Sequence, residues 1–209
     1  LRTLDRGGSL VDAMISTSAT LSVVLQQATS LGGDAFFLYH DAAEGKTIGL
    51  NATGHAPDGA TPEYYKDGIP DRGPNAVSVP GMVRGWERLH ERYGKLNWED
   101  LFYDAIDAAE AHPASRVLTA GLDLFRDDVM ADPASRALYF DDAGNRMQAG
   151  DILRQPALAE TVRKIANGKS AAYYEGDIAK SIGEYAVANG GLLAPDQFAG
   201  YEPEWVDPL

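Results

Sequence analysis

Cysteine is absent from all 209 residues. That excludes disulfides, thiolate nucleophiles and Cys-ligated zinc, and it leaves the cellular compartment open. No apolar run approaches the roughly 20 residues that a membrane-spanning helix needs. Basic side chains are scarce, with 18 Lys and Arg against 31 Asp and Glu, a formal net charge of −13. A chain this acidic, with no basic stripe, repels phosphate backbones and is not expected to bind nucleic acid. The common catalytic signatures are missing too: no phosphate-cradling G-x-x-x-x-G-K-[ST], no H-E-x-x-H, no G-x-S-x-G and no EF-hand loop. His40, His55, His90 and His112 lack ligand spacing, so no metal site is expected. His90, between Glu87 and Glu91, is expected to pair with surface charge.

What is present is ordinary for a folded chain: 44% hydrophobic and 23% charged residues, enough for a sizeable core. Leu1 to Asp5 reads as a helix tail stopped by Gly7-Gly8. Ser9 with Asp12 three residues on is a capping-box-like start to a second helix. From Leu10 to Gln27 that helix has almost no charge, which predicts burial on most sides. Ala35 to Tyr39 and Lys46 to Asn51 read as two strands of a hairpin around the turn Asp41 to Gly45. Ala56 to Asn75, rich in Pro, Gly and Asp, predicts a long surface connection.

Helices dominate the rest. Pro80 is expected at N1 of a helix with Met82, Val83, Trp86, Leu89 and Tyr93 on one face and Gly94 as its stop. Asn97 is expected to cap another that buries Trp98, Leu101, Phe102, Ala105, Ile106 and Ala109. Short helical turns near the surface are expected around Asp127-Asp128, Asp132-Pro133 and Asp141-Asp142. Pro156 opens a helix carrying Leu158, Val162 and Ile165. Asp177 is expected to cap the last, with Ile178, Ile182 and Tyr185 inward. No linker divides residues 1–209, which read as part of one domain.

Two segments are candidate sites. The glycines of Thr29-Ser30-Leu31-Gly32-Gly33-Asp34, between a buried helix and a strand, predict positive φ and close backbone approach. They make either a tight structural turn or a backbone wall beside a ligand. Asn51-Ala52-Thr53-Gly54-His55-Ala56-Pro57 places polar groups at the end of a strand, at a sheet edge where ligands often bind. Asn51 and Thr53 are expected to share a face.

Gly7-Gly8-Ser9-Leu10-Val11-Asp12-Ala13 resembles the G-G-N-A-V-D-A-A string of γ-glutamyltranspeptidases, and Leu31-Gly32-Gly33-Asp34-Ala35-Phe36-Phe37-Leu38 its L-G-G-G-G-F-M-L. Val79-Pro80-Gly81-Met82-Val83-Arg84-Gly85 is similar to V-P-G-x-V-x-G, and Tyr93-Gly94-Lys95-Leu96 to Y-G-x-L. Leu153 to Ala159, Tyr173 to Ala179, Gly190 to Leu193 and Asp196 to Tyr201 resemble L-x-Q-P-x-L-A, F-Y-x-G-x-I-A, G-G-L-[IL] and D-L-x-x-Y in family order. The resemblance implies an α+β fold, part of the αββα four-layer sandwich of N-terminal-nucleophile (Ntn) hydrolases, with outer helices, an N-terminal hairpin and a helical region. It implies a self-cleaving precursor whose freed Thr attacks an amide or γ-glutamyl carbonyl without any cofactor. A small subunit cut from the same precursor would be the partner.

That Thr is expected beyond Leu209, so no catalytic residue is assigned here and this polypeptide alone is expected to be inert. Localisation stays open between export and cytoplasm. Where the family string carries an Arg that clamps a substrate α-carboxylate, this chain has Thr53. A hydroxyl does not replace a bidentate guanidinium, and Arg72 and Arg84 are the nearby candidates to stand in. The resemblance therefore implies Thr53, with Asn51 and His55, as substrate-orienting residues. It points to a γ-glutamyltransferase-like acylase or small-amide hydrolase. An authentic γ-glutamyltransferase acting on glutathione and a non-catalytic binding domain derived from the family are the alternatives.

Overall fold

The computed structural model describes residues 1–208. Helix α1 (Arg2–Asp5) is stopped by Gly7 at φ +87°. Helix α2 (Leu10–Val24) opens with the expected capping box: Ser9 Oγ accepts from Asp12 N at 3.0 Å, and Asp12 accepts from Ser9 N at 2.8 Å. Its burial is one-sided, correcting the expectation of burial on most sides. Val11, Ile15, Ala19 and Val23 recur every fourth residue and are buried, whereas Leu10, Met14 and Leu21 are exposed. Hydroxyls satisfy themselves along the helix, with Thr17 Oγ1 donating to Ala13 O at 2.7 Å.

The hairpin forms as expected from β1 (Ala35–Asp41) and β2 (Lys46–Ala52), pairing Phe36 with Asn51 and Leu38 with Gly49. Strand β5 (Glu204–Val206) pairs antiparallel on the other side of β2, so the order is β1-β2-β5 and β2 is central. The inner face sets Phe37, Tyr39 and Leu50 against helices, while Phe36 and Leu38 on the outer face are 77% and 71% exposed.

Residues 53–81 hold no helix or strand. Helix α3 (Met82–Tyr93) starts after Gly81, not at Pro80, because the Gly33 carbonyl accepts from both Gly81 N and Met82 N. The single helix expected after Asn97 is two elements, a 3-10 turn (Trp98–Leu101) and α4 (Tyr103–Glu110), and the Asn97 side chain caps neither. Helices α5 (Arg116–Leu124), α6 (Arg126–Ala131) and α7 (Pro133–Tyr139) enclose a small separate core of Leu118, Leu122, Phe140 and Leu153. A short ladder of β3 (His112–Pro113) and β4 (Ile152–Leu153) joins them. Helix α8 (Pro156–Tyr174) breaks at Lys169, at φ 55° and ψ −154°. In α9 (Asp177–Ala188) Gly176 is the cap, Ala179, Gly183 and Ala186 face inward, and Tyr185 is exposed, correcting its expected inward place. Among the described residues no helix is long and apolar enough to cross a membrane, and no cluster of three or more His, Asp or Glu suits a metal.

Asp12 links the layers. It is fully buried and also accepts from Lys95 N and Leu96 N at 3.0 and 3.1 Å, so one carboxylate ties the start of α2 to the chain leaving α3. His90 belongs to this knot and not to surface charge. Its Nε2 donates to Leu96 O at 2.9 Å and lies 3.7 Å from Asp12 Oδ1. Asp12→Ala strands several backbone donors and is expected to cost about 3 kcal/mol, against about 1 kcal/mol for Ser9→Ala. Denaturant unfolding of the full-length protein checks both values, and equal losses would show that the links to Lys95 and Leu96 carry no energy.

Candidate substrate-binding site

Three loops meet where β2 ends. Asn51 Oδ1 accepts from Thr53 N at 3.0 Å, an Asx turn that ends the strand. Gly54 N donates to Asp34 Oδ1 at 2.9 Å, and Ser78 Oγ lies 3.5 Å from the same oxygen. Val79 N donates to His55 O at 3.0 Å. Backbones approach so closely that a Cβ on Gly54 would stand 1.4 Å from Val79 O, and one on Gly81 would stand 1.9 Å from Ala52 O. The segments Gly32–Asp34, Thr53–His55 and Ser78–Gly81 therefore form one junction.

Gly32 and Gly33 do not adopt the expected positive φ. Gly33 serves instead through its carbonyl, which accepts from Gly81 N and from Met82 N, the first amide of α3, while a Cβ on Gly32 would meet nothing closer than 3.8 Å. The candidate strand end lies at the tip of the central strand, not along a sheet edge, because β5 covers the far side of β2. Asn51 sits on the outer sheet face beside Phe36, and His55 is exposed with Nδ1 3.0 Å from Ala56 O. Thr53 is half-buried, and its Oγ1 is covered and bonds nothing among the described residues.

Tyr201 closes the junction from below. Its ring stacks on Tyr174 at 5.9 Å and lies 6.2 Å from the His55 ring, and its hydroxyl is buried without a partner among the described residues. Burial pushes the Tyr201 hydroxyl up to about 12, and the charges of Asp34 and Glu202 push the same way against Arg84. Glu202 is itself held by Arg88, whose Nε and Nη2 donate to it at 3.0 and 2.6 Å. Neither candidate arginine supplies a free guanidinium. Arg84 is buried, donating to Ser170 Oγ at 2.8 Å, 3.4 Å from Glu175 and stacked over Tyr174. Arg72 pairs with Asp128 at 2.5 Å and lies over Phe125.

Asp34, Tyr201 and the close-packing roles of Gly54 and Gly81 escaped sequence reasoning. They stand up to 167 residues apart, counting from Asp34 to Tyr201, and no spacing rule connects them. The one available signal was their place inside otherwise unexplained motif strings.

The sequence model of one family, described as Gamma-glutamyltranspeptidase, matches residues 1–209. The chain belongs to the γ-glutamyltranspeptidase family. It is 33% identical to the glutathione hydrolase-like YwrD proenzyme of Bacillus subtilis, over all of this chain and 40% of that protein. The crystal structure of Helicobacter pylori γ-glutamyltranspeptidase superposes with a TM-score of 0.94 at 27% identity, covering 100% of this chain and 62% of the other. Cephalosporin acylase from Bacillus halodurans gives 0.90 at 31% identity, covering 100% and 41%. The chain thus spans about two fifths of the length of its curated relative. Its α+β architecture is that of a partial Ntn-hydrolase fold, as the γ-glutamyltranspeptidase motifs imply.

In this family member, Gly54→Ala must displace the Val79 carbonyl. It is expected to lower the unfolding midpoint, because the Asp34–Gly54 bond and the strand end shift with that carbonyl. Gly59→Ala, at an open turn of φ +83°, carries only local strain and is the comparison. Calorimetry of both variants in the full-length protein checks the difference, and a smaller loss in Gly54→Ala would show that the junction yields.

Proposed function

We propose that this chain is the large-subunit segment, within one Ntn-hydrolase domain, of a γ-glutamyltransferase-like amidohydrolase or acyltransferase. Its Thr nucleophile comes from outside these residues, and a small subunit of the same precursor is its partner. In this chemistry the Thr hydroxyl attacks the amide carbonyl while its own α-amine takes the proton. As the tetrahedral intermediate collapses, its C–N bond breaks, the α-ammonium gives that proton to the departing amine, and an acyl-enzyme remains. Water then releases the acid, or an amine accepts the acyl group.

The part of this chain in that reaction is to hold and orient. Thr53, Asn51 and His55 border the place where the acyl group would lie. The apolar outer face of the sheet, with Phe36, Leu38 and Val206 exposed, suits a second sheet from the small subunit. Proenzyme names among the relatives support a two-subunit product.

One observation carries the substrate class: no guanidinium is free at the strand end. Thr53 stands in the place of the family's Arg, and both Arg72 and Arg84 are engaged elsewhere. Asp34 stands at the strand end without an ion pair among the described residues, whereas Glu202 is held by Arg88 at 2.6 Å. We therefore assign an acyl group without an α-carboxylate, closer to the acylase relative than to a glutathione hydrolase. Glutathione hydrolysis is the second reading, favoured by the names of several relatives at about 30% identity. A non-catalytic binding domain is the third.

Assay of the full-length protein separates them. Uncharged acyl anilides are expected to be cleaved with kcat/KM about 100-fold above γ-glutamyl p-nitroanilide, the scale of one lost charged contact. Thr53→Arg is expected to raise the γ-glutamyl value about ten-fold. Efficient turnover of the γ-glutamyl substrate by the wild type would overturn the substrate class. A precursor that stays uncut by mass spectrometry would favour the binding domain.

A further inference from the structure

We propose that the cavity between α9 and the 73–80 segment is an acyl side-chain subsite, taking a neutral aromatic or branched group that hydrogen-bonds Tyr173. The inference rests on the amidohydrolase reading above and names what its substrate carries. The cavity has a volume of about 380 Å³, within the roughly 300–1,000 Å³ of small-molecule sites. Pro74, Val77, Pro80, Ile182 and Leu193 give it apolar walls, and no charged side chain lines it. A carboxylate or ammonium entering it would lose its hydration without gaining a counter-charge.

Tyr173 supplies the polar contact. It is only 2% exposed, it lines the cavity, and its hydroxyl has no hydrogen-bond partner among the described residues. Its neighbour Tyr174, by contrast, is satisfied twice, donating to Pro80 O at 2.8 Å and accepting from Arg84 N at 3.2 Å. The Tyr173 hydroxyl opens into the cavity, so a ligand group that bonds it exchanges a water for a partner held in one orientation, a gain of about 1 kcal/mol. Burial, the sole influence on the Tyr173 hydroxyl, raises its pKa, so it remains a neutral donor.

The cavity adjoins the strand-end junction. Ser78 lines it and lies 3.5 Å from Asp34 Oδ1, the oxygen that accepts from Gly54 N. Ser78 is thus common to the cavity rim and to the junction that carries Thr53. A second cavity shares Tyr173 and Ile182 but is lined by Lys164 and Asp177, which suit an apolar group less.

The test uses the full-length enzyme with p-nitroanilides of phenylacetate, 4-hydroxyphenylacetate and acetate, and calorimetric titration with phenylacetamide. Phenylacetyl is expected to exceed acetyl in kcat/KM by about ten-fold or more, from burial of one ring. Val77→Trp, at a half-exposed wall position, is expected to collapse that ratio towards one and to weaken phenylacetamide binding about ten-fold. Tyr173→Phe is expected to erase any preference for the 4-hydroxy substrate through KM. Equal phenylacetyl and acetyl rates, or binding indifferent to Val77→Trp, would overturn the subsite. Absence of all anilide turnover, with Val77-dependent binding intact, would sink the amidohydrolase reading and leave the cavity standing.

Discussion

Two backbones touch where the sheet meets its helical layer, and most of the structure is arranged around that contact. A Cβ at Gly81 would meet Ala52 O at 1.9 Å, and a Cβ at Gly85, one turn on, would meet the Ala52 Cβ at 2.6 Å. Glycine at both positions lets α3 lie directly on the end of β2. Once it does, the Gly33 carbonyl is in reach of the amides of the cap residue Gly81 and of Met82, the first residue of the helix, which would otherwise be orphan donors. Trp86 and Leu89 then point into the main core. The placement of Thr53, Asp34 and the cavity rim follows from this approach of main chains, since each sits on a loop anchored at the junction.

One helical turn into α3, a buried charge cluster fixes the layer behind the site. Arg84 reaches Ser170 Oγ, and that hydroxyl donates in turn to Glu87. Glu175 and Glu202 approach the guanidinium from the surface side at 3.4 and 3.9 Å. A buried ion pair gives little net stability against its desolvation cost, but breaking it leaves an uncompensated charge. The cluster therefore acts as a positional lock between α3, α8 and the chain leading to β5. The break in α8 at Lys169 immediately precedes Ser170, in a backbone region that non-glycine residues rarely occupy. The same lock explains why Arg84, close to Thr53 in chain order, is unavailable to a substrate.

What could be read from the sequence was local. The Ser9–Asp12 capping box, the hairpin and the helix beginning at Pro156 follow from residue types within one or two turns of one another. The errors share a cause, which is a tertiary partner overriding a local signal. Pro80 looked like a helix start, but the Gly33 carbonyl, about fifty residues upstream, sets the start at Gly81. His90 looked like a surface group between two glutamates, but Asp12 and Leu96 draw it inward. At the candidate site the strand end was legible as a polar stretch. Its supports were not, because Asp34, Ser78 and Tyr201 come from three other segments.

The charges at that junction bear on the acyl group that suits it. An acidic chain as a whole says little, since exposed charges are screened over about 8–10 Å in physiological salt. The local balance is more informative: Asp34 stands at the strand end without an ion pair among the described residues, Glu202 is held by Arg88 at 2.6 Å, and Arg84 is buried against Ser170 and Glu175. A substrate carboxylate entering here would meet like charge with no fork of donors to offset its lost hydration. A neutral side chain meets neither penalty, and beside the junction lies a cavity whose walls are apolar and onto which the Tyr173 hydroxyl opens. The threonine at position 53 and the shape of the neighbouring cavity thus bear on one property of the proposed substrate, the charge of its acyl group, and act in the same direction.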